Sequence, residues 1–272
     1  MEVYREFDKE GMLAKFAELR DKYVLSYKPD FTVEDEVRYA KGPIWDGLDE
    51  LYSRFLIPHI REKKYLFTKE HKSLPKNAVV EEYEKIYHDA GGKLHHTVYE
   101  MGAPGFLVSE FYDATSHFMA SFYVSEQLRI DYNVLRLTNG ELSPVWCQFE
   151  WCEYDGDGRL IAVESYRRNG AIQDGVIINA EYYEYEDGVL SHVYRFHEFD
   201  TQPLPGVLGM VRQMMPDRIL NPECFEYDFS RDESGVTCNY THYFRKSQTI
   251  NRSDLIPMDK AIKLKEHGIP IL

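Results

Sequence analysis

Residues 223–244 read ECFEYDFSRDESGVTCNYTHYF. In the first half Phe225, Tyr227 and Phe229 alternate with Glu226 and Asp228. In the second half Val236, Cys238, Tyr240, His242 and Phe244 alternate with Thr237, Asn239 and Thr241. A period of two sends one set to a buried face and the other to water, the pattern of antiparallel strands wet on one side. The intervening Asp, Ser and Gly residues are turn formers. This stretch therefore predicts a β-hairpin.

Similar joints lie upstream. Leu137-Thr-Asn-Gly-Glu-Leu142, Tyr154-Asp-Gly-Asp-Gly-Arg-Leu160 and Tyr185-Glu-Asp-Gly-Val-Leu190 each run an apolar or aromatic strand end into an Asn/Asp-Gly turn. Those dipeptides accept the positive φ of tight hairpins. Strands are predicted at 94–101, 106–113, 117–124, 127–137, 144–154, 159–168, 176–186, 189–199, 223–230 and 235–246. In the fifth of these, Val145, Cys147, Phe149 and Trp151 oppose Gln148 and Glu150. An apolar insertion at 203–216, rich in Met and Val, predicts a short helix packed across the sheet.

The N-terminal third has a helical period instead. Met12, Phe16, Leu19 and Tyr23 make one stripe. Thr32, followed by Glu34, Asp35 and Glu36, predicts a helix to Ala40. Another is predicted from Pro43 to Pro58. Asn77 opens a further helix whose stripe is Val80, Tyr83, Ile86, Tyr87 and Ala90, closed by Gly91-Gly92. The predicted class is α+β: a helical subdomain (1–92) packed on a meandering antiparallel sheet or half-barrel (93–250). A C-terminal tail (251–272) carries a short helix from Met258 to His267.

The chain has 272 residues and a formal net charge of −14, with 46 acids against 32 Lys and Arg. Nucleic-acid binding needs a basic footprint, so it is not expected. An anionic membrane surface is excluded on the same ground. Nor does any run of residues reach the apolar length of a membrane span. The charged N-terminus has no apolar leader, which predicts a cytoplasmic protein. The four cysteines form no CxxC pair and read as small buried side chains.

Signatures of catalysis are missing: no Walker loop, GxGxxG, HExxH or GxSxG occurs. No catalytic residue, metal or cofactor is expected. Asp155-Gly-Asp-Gly158 resembles a calcium loop, but Tyr166 stands where an EF-hand needs its twelfth-position Glu. His96, His117, His192 and His242 could converge from neighbouring strands to line a pocket. Acids in strands, among them Glu150, Glu164 and Glu181, form candidate carboxylate pairs, for which a solvated sheet face is the simpler account.

The aromatic and acidic residues that run into Gly and an outgoing Leu at 152–160 and 183–190 resemble the YD-type hairpins of bacterial polymorphic-toxin systems. The chain as a whole resembles the immunity proteins of those systems. The resemblance implies a non-catalytic inhibitor that binds a cognate toxin domain. The residues themselves point to a basic protein partner met by an acidic, aromatic sheet face. Trp146, Gln148, Glu150, Glu181, Tyr183 and Tyr185 are the candidate contacts. A small-ligand protein or enzyme, with a His- and aromatic-lined pocket inside the curled sheet, is the alternative.

Overall fold

The computed structural model describes residues 8–41, 70–102, 113–168, 176–200, 223–243, 249–266 and 268–272. It is mainly β. Helix α1 (Lys9–Leu19) continues as a π-helical turn, Arg20–Val24. Strands follow at β1 (Glu36–Lys41), β2 (Tyr83–His88), β3 (Leu94–Gly102), β4 (Ala114–Tyr123), β5 (Leu128–Leu137) and β6 (Leu142–Tyr154). Then come β7 (Leu160–Arg168), β8 (Val176–Glu186), β9 (Val189–Asp200), β10 (Glu223–Asp232), β11 (Gly235–Tyr243) and β12 (Thr249–Pro257). Helix α2 (Met258–Glu266) closes the order. The twelve strands lie along the sheet in the order in which they lie along the chain.

This overturns the helical subdomain. The segment 32–40 is not a helix: Thr32 donates from N and Oγ1 to Asp30 Oδ1, closing a local turn, and Glu36–Lys41 is a strand. Between Asn77 and Ala90 only Val80–Glu82 is helical, as one 3-10 turn, and Tyr83–His88 pairs with β1. Tyr83, Lys85 and Tyr87 alternate there with Glu84 and Ile86. Charged residues on strands imitated the polar side of a helix, because Glu84 is buried and Lys85 reaches Glu100 at 4.0 Å. Gly91-Gly92 belongs to the β2–β3 turn, where the Asp89 carboxylate accepts from Gly91 N and Lys93 N at 2.9 Å each. The predicted helices at 43–58 and 203–216 fall outside the described residues, as does most of the predicted strand 106–113.

Two compact units share the chain, one with residues 16–41, 70–102 and 113–150, the other with 8–15 and the described residues from 151 onward. In the first, Phe122 is fully buried and centres an aromatic cluster. Phe31 stands edge-on to it at 5.1 Å and His96 stacks on it at 4.9 Å. In the second, Tyr227 stacks on Tyr240 across β10 and β11 at 5.7 Å, on the same sheet face as buried Cys238, Val236 and Ile256.

The β10–β11 turn depends on one glycine. Gly235 has φ +144°, and a Cβ there would lie 2.1 Å from the Ile256 carbonyl oxygen. Gly235→Ala is expected to cost about 3 kcal/mol, read as a lowered urea midpoint. A midpoint equal to wild type would contradict the pairing of Gly235 with Pro257.

Candidate protein-binding face

The site is built from strand register in the second unit. Glu184 pairs with His192, His192 with Asp228, Asp228 with Asn239 and Asn239 with Ser253. Five strands thus carry one transverse row. Two residues along, Tyr182, Tyr194, Glu226, Thr241 and Asn251 make a second row. Paired residues share a sheet face, so all ten project from the same side.

That side is open. Glu184, Asp228, Asn239, Asn251 and Ser253 are exposed, while Tyr182, His192, Tyr194, Glu226 and Thr241 are half-buried. The reverse side holds buried Tyr183, Val193, Tyr227, Cys238 and Tyr240. The C-terminal residues lie against that reverse side: Arg231, which projects from it, donates from Nε to the Ile271 carbonyl at 2.8 Å. The start of α1 lies over the β7–β8 end of the open side. There Tyr182 OH meets Met12 Sδ at 3.5 Å and Lys15 Nζ pairs with Glu164 at 2.6 Å and with Glu153. Burial works against the Lys15 charge, but the hydrogen bonds to both carboxylates outweigh it and raise the lysine pKa.

The two rows contain three carboxylates, one imidazole and neither Lys nor Arg. His192 Nδ1 hydrogen-bonds the Asp228 carboxylate, and its ring lies 4.2 Å from that of Tyr194. The Asp228 side chain, 63% exposed, is thereby steered while remaining open to a partner. Aromatic rings with little conformational freedom beside exposed carboxylates suit contact with a cationic protein surface.

Of the candidate contacts and pocket histidines named from sequence, His192 lies in the first row, and Tyr185 is next to Glu184 on β8 but in neither row. Its hydroxyl donates to the Leu160 carbonyl at 2.6 Å and its ring faces the Arg159 guanidinium at 5.2 Å. Glu181 and Tyr183 are on the reverse side, buried, with the Tyr183 hydroxyl donating to Glu181 and Arg195 Nε 3.2 Å from it. Trp146, Gln148 and Glu150 belong to the first unit. Trp146 and Gln148 are half-buried. Glu150 is 1% exposed and pairs with Arg129 at 3.1 Å. Buried carboxylates of this kind meet no protein partner directly.

No protein-family model matches the chain, and no curated protein or solved structure is significantly similar to it.

His96 and His117 belong to the first unit and His192 to the second. His117 Nδ1 hydrogen-bonds the Gly102 carbonyl at 3.2 Å, and the side chain of His242 lies outside the described residues. His96 is a core residue, sandwiched between Tyr87 at 4.3 Å and Phe122. Among the described residues no group of three or more His, Cys, Asp or Glu is placed to hold a metal. No described helix is long and apolar enough to cross a membrane.

Burial, with the neighbouring His95 adding to it, pushes the His96 pKa down to about 4. The unfolded chain protonates this ring near its ordinary pKa, about 6.5, so between the two values it binds more protons than the native state. Stability from this group is complete above pH ~6.5 and is lost as pH falls toward about 4. His96→Phe is expected to remove that slope, a difference of about 3 kcal/mol across the window. Urea midpoints at pH 7 and pH 4 check it, and parallel losses in both proteins would refute it.

Proposed function

We propose that this chain is a non-catalytic protein-binding protein that presents the β8–β12 face to a basic partner. The observation that carries the reading is the pair of transverse rows. Glu184, Glu226 and Asp228 stand with Tyr182 and Tyr194 on one sheet face, and neither row contains Lys or Arg. The formal net charge of −14 adds long-range attraction for a cationic protein and speeds its encounter. The likeness of the hairpins at 152–160 and 183–190 to toxin-system hairpins supports neutralisation of that partner as the purpose of the contact.

The test is capture from native cells at low salt with the tagged chain. Two double variants are run beside it. Glu184→Lys/Asp228→Lys reverses the face, and Glu141→Lys/Asp157→Lys reverses equal charge at exposed turns elsewhere. A basic protein captured in near-equal amount by wild type and the turn variant, but not by the face variant, supports the proposal. Capture lost equally in both variants would mean general charge attraction and sink the assignment to this face.

A further inference from the structure

We propose a small-molecule site in the first unit, distinct from the acidic face, for a flat aromatic carboxylate. Where the chain leaves the π-helical turn, Tyr27, Lys28 and Pro29 face Tyr132 of β5 and Pro144 and Trp146 of β6. They line a groove of ≈ 310 Å³. That volume lies at the lower end of ordinary ligand pockets, which run from ~300 Å³ upward, and suits a two-ring ligand.

The lining selects the class of molecule. Three aromatic side chains and two prolines offer flat apolar surfaces, against which a planar ring packs edge-to-face or offset. Tyr132 is only 4% exposed, yet it lines the groove and its hydroxyl hydrogen-bonds no described residue. Tyr27 OH likewise has no hydrogen-bond partner among the described residues. Among the described residues, both hydroxyls are donors without an acceptor. Burial raises the pKa of each phenol, so both keep their protons at neutral pH.

Charge chooses among the acceptors. Lys28 lies on the lining, and among the described residues it makes no ion pair, although the chain is strongly acidic. A cation at the mouth of an aromatic groove, with no ion-pair partner among the described residues, complements a carboxylate. Asp30 is the nearest competing anion in sequence. It is outside the lining, and its Oδ1 already accepts from Thr32 N at 2.9 Å and Thr32 Oγ1 at 2.6 Å. The ligand's ring lies against Trp146 and the prolines, and its carboxylate accepts from Lys28 Nζ and the tyrosine hydroxyls.

The experiment is calorimetric titration of the full chain with naphthalene-2-carboxylate, its neutral carboxamide and tetramethylammonium. The carboxylate is expected to saturate one site, with the carboxamide at least tenfold weaker and tetramethylammonium not binding. Lys28→Met is expected to weaken the carboxylate about tenfold, and Tyr132→Phe severalfold. Lys93→Met, an exposed charge in the β2–β3 turn, should leave it unchanged. Lys28 is exposed, so its variant folds as wild type does. Equal affinity for acid and amide, an effect of Lys93→Met as large as that of Lys28→Met, or no saturable binding of the acid would each overturn the assignment. Saturable binding of tetramethylammonium would do the same, pointing to an aromatic cage for cations.

Discussion

Arg129→Met lowers the unfolding free energy by about 4 kcal/mol, because it leaves two buried carboxylates facing each other without their cation. Arg129, on β5, is itself 4% exposed. Its Nε lies 3.1 Å from Asp131 Oδ1, and one of its terminal nitrogens lies 3.1 Å from Glu150 Oε2 and 3.4 Å from Asp131 Oδ2. Both acids are at least as buried as the arginine. The two carboxylates therefore lie no farther apart than the sum of those last two distances. Methionine matches the stem of the arginine but carries no charge, so the loss is electrostatic more than volumetric. The measurement is the urea midpoint at pH 7. The triple variant Arg129→Met/Asp131→Asn/Glu150→Gln removes the stranded charges and is expected to regain most of the loss. A single variant as stable as wild type would show that the cluster contributes no net stability.

Reversing the face charges has the largest expected effect on binding. Glu184→Lys/Asp228→Lys places two ammonium groups opposite a cationic partner, and like charges in contact cost several kcal/mol. A loss of affinity of ~100-fold is expected, concentrated in the association rate. Wild-type affinity should itself fall as salt rises, since exposed charges are screened beyond a Debye length of about 8 Å at physiological ionic strength. Neither residue belongs to the buried set, so the folded state should tolerate both. Tyr194→Ala tests the aromatic part: it removes a half-buried ring beside His192 and should shorten the lifetime of the complex without changing its salt dependence. A salt-independent affinity would remove the electrostatic half of the proposal.

The β part of the fold was legible because its signals are local. Asn139-Gly140, Asp157-Gly158 and Asp187-Gly188 all mark hairpin turns, and Asp187 adopts the positive φ (50°) that such turns require. Alternation at 223–243 assigned Glu226, Asp228, Asn239 and Thr241 to the open side, where they lie. The same reading failed where a strand is buried on both sides. Ala162 to Tyr166 are all buried, and so are Leu128 to Tyr132, so polarity no longer marks the wet face. Glu150 and Glu181 were assigned outward for that reason, whereas each is held inside by an arginine. Strand β12 was missed because Asn251-Arg-Ser-Asp254 is polar on both sides. Its order comes from backbone pairing to β11, which leaves no mark on side-chain pattern. The face itself was half visible: β10 and β11 named their exposed residues, but Glu184 and Tyr182 were tied to that row only by the register of β9.

Strand order that follows chain order also bears on how the protein is made. A ribosome releases each strand after the neighbour it must join, so at the short hairpins pairing proceeds without waiting for a distant segment. Turns as short as those at Asp187-Gly188 and Glu233-Ser234 cost little loop entropy, and contacts formed this way are close in sequence, which favours rapid folding. At any moment during synthesis the unpaired backbone at the growing end of the sheet is that of the newest strand, so the surface open to aggregation is renewed and covered with each hairpin.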